Sequence, residues 1–306
     1  MKVYLASPHG FCAGVVMVVE ALQRAVARLG TPLYVYHEIV HNTHVVDSFR
    51  RQGVIFVEDI THVPPGSNLL YSAHGVSPVV REQARQLQLR TIDATCPLVT
   101  KVHLEAIRFA QQGYTIFLIG HAGHDEVVGT MGEAPDRIIL VGTPEDVDSL
   151  VVSDPERVAY LTQTTLSVDE ANRVIAALKR RFPAVVGPPK EDICYATQNR
   201  QEAVRELARE SDLVLVVGSQ NSSNAIRLAE VARECGAAAY LIDAVEDIDP
   251  NWFDEVEVVT LTAGASTPEK LVMDCVEWLS RQFGAEIQPR TIREENVLFP
   301  LPKALR

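Results

Sequence analysis

The chain has 306 residues, 47 % of them apolar, and its 28 Lys+Arg against 40 Asp+Glu leave a formal charge of −12. That balance argues against a partner held by phosphate charge neutralisation, because the longest basic cluster is Lys179-Arg180-Arg181 at a helix end. No apolar run approaches the roughly 20 residues of a membrane span, and no signal-peptide core precedes the first strand, so the reading is a cytoplasmic protein with neither nucleic-acid nor membrane partner.

In chain order, residues 3–6 read as a strand that enters the loop of Cys12. A helix follows, with apolar residues at Val15, Val18, Val19, Leu22 and Val26 and a left-handed stop at Gly30. Strands at 32–36, 55–59 and 69–71 come next; the first runs into His41-Asn42 and the last into Ser72-Ala73-His74, before an N-cap and N1 proline at Ser77-Pro78. The same order then repeats. A strand at 90–94 leads to Cys96, a helix stops at Gly113, and a strand at 115–119 runs into His121-Ala-Gly-His124-Asp-Glu126. Strands at 138–141 and 158–162 follow, the second ending in Gln163-Thr164 before a capping box at Ser167-Val-Asp-Glu170. A third pass begins with a strand at 184–186 and, after an insertion, Cys194. Its strand at 213–217 enters Ser219-Gln-Asn-Ser222-Ser223-Asn224, and its strand at 258–262 ends in Ala263-Gly264-Ala265-Ser266 before a cap at Thr267-Pro268.

The polar residues His41, His124 and Ser223 lie 29, 28 and 29 residues after Cys12, Cys96 and Cys194. These matching offsets describe three similar α/β units, at 1–95, 96–193 and 194–283, with a C-terminal tail at 284–306. Ligands in open α/β sheets bind outside the carboxyl ends of the strands, so a pseudo-threefold arrangement would bring the three cysteines and the polar segments to one centre.

Each of the three cysteines precedes a helix N-terminus, which favours the thiolate. Soft thiolates select zinc, copper(I) or iron-sulfur clusters, and three ligands leave one metal position open, as in a catalytic site. Cys235 and Cys275 have no repeat counterparts and read as core. His41, His74 and His124 with Thr164, Ser222, Ser223, Asn224 and Ser266 offer helix N-termini and neutral donors to an anion such as phosphate. Glu126 opens a helix beside His124; in a dry cavity its carboxyl could act as general acid, with Thr164 as relay. A zinc hydrolase of phosphorylated substrates and a non-enzymatic iron-sulfur sensor both stay open on these residues.

The runs Pro8-His9-Gly10-Phe11-Cys12-Ala13-Gly14, His37-Glu38-Ile39-Val40-His41-Asn42, Ser72-Ala73-His74-Gly75, Asp93-Ala94-Thr95-Cys96-Pro97, Gly120-His121-Ala122-Gly123-His124, Gln163-Thr164-Thr165, Asp192-Ile193-Cys194-Tyr195, Asn221-Ser222-Ser223-Asn224 and Thr262-Ala263-Gly264-Ala265-Ser266 resemble the 4-hydroxy-3-methylbut-2-enyl diphosphate reductases. These are the terminal enzymes of the methylerythritol phosphate route to isoprenoids, and the resemblance covers the whole chain. It implies one 4Fe-4S cluster held by Cys12, Cys96 and Cys194, with one open iron for the allylic hydroxyl of the substrate. It further implies a diphosphate site of His41, His74, His124, Ser222, Ser223, Asn224 and Ser266, with Glu126 and Thr164 as the proton path. Isopentenyl and dimethylallyl diphosphates would be the products. Electrons would come from reduced flavodoxin or ferredoxin, or from an NADPH-fed relay, with no tightly bound flavin. Two positions depart from the family pattern: His9 stands where Arg is expected, and Asp125 where Pro is common.

Overall fold

The structure, a computed structural model, describes all 306 residues. Strands and helices alternate: β1 (Lys2–Ser7), α1 (Ala13–Leu29), β2 (Leu33–Tyr36), α2 (Thr43–Arg50), β3 (Val54–Val57), β4 (Asn68–Tyr71), α3 (Pro78–Gln86), β5 (Arg90–Asp93), α4 (Pro97–Gln111), β6 (Thr115–Ile119) and α5 (Asp125–Glu133). There follow β7 (Ile138–Val141), α6 (Pro144–Ser149), β8 (Val158–Thr162), α7 (Val168–Arg181), α8 (Tyr195–Ala208), β9 (Leu213–Val217), α9 (Ser223–Glu234), β10 (Ala238–Ile242), β11 (Val258–Ala263), α10 (Glu269–Phe283) and β12 (Glu286–Thr291). Gly30 and Gly113 take the left-handed conformation at φ +73° and +82°, which stops α1 and α4 where the sequence places their ends.

The strands form three parallel sheets, ordered β3-β2-β4-β5, β7-β6-β8 and β10-β9-β11-β1-β12. The chain divides into two compact units. The first comprises Met1–Val16, His41–Asp47 and Tyr195–Leu298 and holds the five-stranded sheet; the second comprises Met17–Val40, Ser48–Cys194 and Phe299–Arg306 and holds the other two.

In the first unit both faces of the sheet are covered, so β9 is apolar and buried at every position. Leu215 and Leu261 pack with Val272 and Leu279 of α10, while Val214 and Val216 meet Ala225 and Leu228 of α9. In the second unit β6 behaves alike: Phe117 and Ile119 face Val174 and Leu178 of α7, and Ile116 and Leu118 face Val102 and Ala106 of α4.

The strand pairing departs from chain order at both ends. β1, expected with the first unit of the repeat, pairs in parallel with β11 of the third, Val3 opposite Val259. Residues 286–291, expected as tail, form the edge strand β12 beside β1. Edge position accommodates Pro289, which lacks an N–H. Residues 184–186 form no strand; Val186 makes a single bridge to Ala159 of β8. Thr267 does not cap α10, whose N-cap is Pro268; its buried hydroxyl donates instead to the Val217 carbonyl at 2.8 Å, which also accepts the Gly264 N–H at 2.9 Å.

Helices α3 and α5 meet closely at Gly132. A Cβ there would lie 2.3 Å from Ser77 Cβ and 3.3 Å from Ser77 Cα, atoms at the N-cap of α3 that cannot swing away. Gly132→Ala is expected to lower stability by about 1–3 kcal/mol, as overpacking does. Urea unfolding measures this, and an unchanged midpoint would mean that α3 and α5 separate freely.

Candidate active site

In the second unit, Cys96 is the N-cap of α4, with Pro97 at the first helical position, where a missing N–H costs nothing. Its backbone N–H donates to the Ala73 carbonyl at 3.0 Å, just before His74. Cys194 immediately precedes α8, and its N–H donates to the Thr164 carbonyl at 3.0 Å. Each cysteine loop is thus hydrogen-bonded to a strand-end segment that carries an expected polar residue.

Thr164 is also the partner of Glu126. The carboxylate lies in the first turn of α5, only 2 % exposed. Its Oε1 accepts the Thr164 backbone N–H at 2.7 Å and its Oε2 accepts the Thr164 hydroxyl at 2.9 Å. His124 caps the same helix, its Nδ1 accepting the Glu126 N–H at 3.2 Å, which puts the proton of the neutral ring on Nε2. The His74 and His124 rings stand edge to face, 5.9 Å apart. Cys96, Cys194, His74, His124, Glu126 and Thr164 therefore share connected segments of one unit.

Asp125, the departure from the family pattern, points elsewhere than Glu126. Its two carboxylate oxygens lie 3.5 Å from His37 Nδ1 and 3.7 Å from His74 Nδ1. His37 itself is held at φ +57°, a strained backbone that places its ring against Glu58 at 2.7 Å. Nothing in the sequence pattern announces this ring.

In the first unit, Cys12 precedes α1, and its N–H donates to the Ala265 carbonyl at 3.2 Å. The neighbouring Ser266 hydroxyl donates to the His41 carbonyl at 2.8 Å. Ser222 caps α9, accepting the Ala225 N–H at 3.4 Å, and Ser223 begins that helix. Asn224, in the first turn and 5 % exposed, has both amide heavy atoms buried with no hydrogen-bond partner in the protein. His41, Ser222, Ser223, Asn224, Ser266 and Cys12 all fall in this unit. His9 pairs its Nε2 with Glu269 at 3.1 Å while its Nδ1 contacts the Ala6 carbonyl.

Sequence reasoning missed Arg200. It is 1 % exposed, and its guanidinium donates to the Gly10 carbonyl at 2.8 Å, the Ala196 carbonyl at 2.9 Å and Glu295 at 3.0 Å, which steadies the loop before Cys12. A helical arginine reads as surface, and only its position among the buried side of α8 could have marked it. No cysteine is in a disulfide. Cys275 is fully buried, and burial followed by nearby carboxylates pushes its thiol up to about 12, the environment of an inert core thiol. Cys235, expected in the core, is half-buried at the C-cap of α9.

The LytB protein family model matches residues 3–280. The chain belongs to the LytB family. Its similarity to 4-hydroxy-3-methylbut-2-enyl diphosphate reductases of this family extends from end to end: 56 % identity to that of Rhodopirellula baltica, over 100 % of this chain and 96 % of the relative, and 54 % to that of Streptomyces coelicolor, over 100 % and 90 %. The solved structure of the E-1-hydroxy-2-methyl-but-2-enyl-4-diphosphate reductase from Plasmodium falciparum superposes with a TM-score of 0.97 at 40 % identity, covering 99 % of this chain and 96 % of that one. The LytB assignment makes the chain an oxidoreductase built from three similar α/β units. No helix is long and apolar enough to cross a membrane.

Proposed function

We propose that this chain carries out the two-electron reductive dehydroxylation of (E)-4-hydroxy-3-methylbut-2-enyl diphosphate to isopentenyl diphosphate and dimethylallyl diphosphate. The observation that carries the reading is the buried Glu126–Thr164 pair, on the segment whose carbonyl receives the Cys194 N–H. A protonatable carboxyl sealed from water beside a thiol loop suits delivery of a proton to a leaving hydroxyl.

Cys12, Cys96 and Cys194 suit a resident iron-sulfur group: three thiols outside disulfides, each at a helix start. The ligand set proposed from the motifs is one 4Fe-4S cluster with one iron open; when bound, it would supply the electrons and an acceptor position for the allylic oxygen. In balance, one C–O bond breaks, two electrons and two protons are taken up, one proton completing the water that leaves and the other forming the new C–H bond of the allyl system. With Glu126 protonated, the Thr164–Glu126 hydrogen bond would run in reverse, Oε2 donating to Thr164 Oγ1 as that hydroxyl gives its own proton to the leaving oxygen.

His41, His74, His124, Ser222, Ser223, Asn224 and Ser266 are proposed to hold the diphosphate. The unpartnered Asn224 amide and the start of the 12-residue α9 suit this role with no Lys or Arg. Electrons are proposed to come from reduced flavodoxin or ferredoxin, or from an NADPH-fed relay, in the cytoplasm, with no flavin bound tightly to this chain. The sequence repeats, at 1–95, 96–193 and 194–283, are proposed as the units that carry one cysteine loop each.

The test is anaerobic incubation of the purified protein with the allylic diphosphate and reduced methyl viologen, with the five-carbon diphosphates read by mass spectrometry. Absence of both products from iron-loaded protein would overturn the reading. Asn224→Ala is expected to weaken binding of inorganic diphosphate by about tenfold to a hundredfold, the loss of a hydrogen bond to a charged group. Calorimetry measures it. Thermal stability should change little, since the amide makes no internal hydrogen bond.

A further inference from the structure

Lys101 and Asp192 have no role in the chemistry above and touch neither Glu126 nor Thr164 side chains. Lys101 lies on α4, five residues after Cys96 and so about 7.5 Å along the helix axis. Its Nζ donates to the Lys190 carbonyl at 2.5 Å, the Glu191 carbonyl at 2.9 Å and Asp192 Oδ1 at 2.9 Å. All three donors of the ammonium are thus spent on three consecutive residues of the loop that ends at Cys194.

Asp192 carries the restraint further. Its side chain is 0 % exposed, and Oδ2 accepts the backbone N–H of Thr162 at 3.0 Å. Thr162 ends β8, two residues before the Thr164 carbonyl that receives the Cys194 N–H. The loop before Cys194 is therefore pinned from one side by the helix that Cys96 caps and from the other by the strand that leads to Thr164. Burial raises the Asp192 carboxyl above its ordinary value, and the Lys101 hydrogen bond and charge oppose that rise.

Such a pair adds little stability, since apolar residues of the same volume often serve as well. What it does impose is geometry: an ammonium with three fixed acceptors is satisfied in one loop conformation only. We propose that Lys101 and Asp192 are the positioning pair that sets the Cys194 loop relative to Cys96, and thereby how tightly these cysteines hold metal. The inference rests on the reading of both cysteines as ligands.

The variant Lys101→Met/Asp192→Asn tests it, because Asn still accepts from Thr162 and no buried charge is left alone. Two measurements are made without turnover. Cadmium is titrated into the anaerobic apoprotein and followed by thiolate charge-transfer absorption; iron release from the reconstituted protein to a chelator is timed. Cadmium affinity should fall and iron release should accelerate by about tenfold to a hundredfold, the range for residues that orient metal ligands. The circular dichroism melt should stay close to wild type. Wild-type cadmium affinity and iron retention in the double variant would overturn the proposal, whether or not the melting temperature falls. A wild-type chain that binds cadmium no better than its Cys96→Ala/Cys194→Ala variant would overturn the ligand reading itself, a distinct result, and the proposal with it.

Discussion

Glu126→Gln is expected to lower turnover by about 10²- to 10⁴-fold, the range for removal of a general acid. Iron and sulfide content and diphosphate affinity should stay close to wild type. Gln is nearly isosteric, its Oε1 can still accept the Thr164 N–H now 2.7 Å from Glu126 Oε1, and its amide can donate to the Thr164 hydroxyl. The buried position therefore keeps its hydrogen bonds, and the fold has no reason to suffer. What is lost is the transferable proton. Anaerobic kinetics with a chemical reductant, alongside metal analysis, separates the two effects, and normal turnover in this variant would end the acid role of Glu126.

The second large effect concerns the metal. Cys12→Ala, Cys96→Ala and Cys194→Ala should each remove most of the iron and acid-labile sulfide, from about four of each per chain for a 4Fe-4S cluster. Cys235→Ala should leave both unchanged. The contrast follows from position: the first three cysteines stand at helix starts with their N–H groups donating to Ala265, Ala73 and Thr164, whereas Cys235 closes the far end of α9. One zinc per chain with no sulfide would replace the reductase reading by a hydrolytic one.

The legible parts of this molecule are those written locally. A strand, a cysteine, a helix start and a glycine stop follow one another closely, so α1, α4 and their glycines come directly from spacing. Glu126 was legible because it opens a helix next to His124 in a repeated position. Pairing partners were not. Periodicity tells which face of β1 is buried and nothing about which strand lies beside it, so the place of β1 next to β11 had no signal. Thr267-Pro268 has the composition of a cap, yet a buried carbonyl at Val217 outcompeted the helix for the hydroxyl. Nothing in the helical pattern sets Lys101 or Arg200 apart from other basic residues; the carbonyls that bind them come from loops about 90 and 190 residues away in the chain.

The position of β1 has a consequence for the order in which the molecule is made. Its two neighbours are β11 and β12, the last strands in the chain, with Ile292 N–H donating to Ser7 and Glu286 N–H to Met1. On a ribosome the first strand emerges with no partner and waits until nearly the whole chain is out. Residues 48–194, with β3 through β8 and two of the three cysteine loops, lie entirely within the stretch synthesised during that wait. Cys12, although the first of the three thiols to leave the exit tunnel, donates its N–H to Ala265, whereas Cys96 and Cys194 donate to Ala73 and Thr164, so the Cys12 loop is the one whose partner is made last.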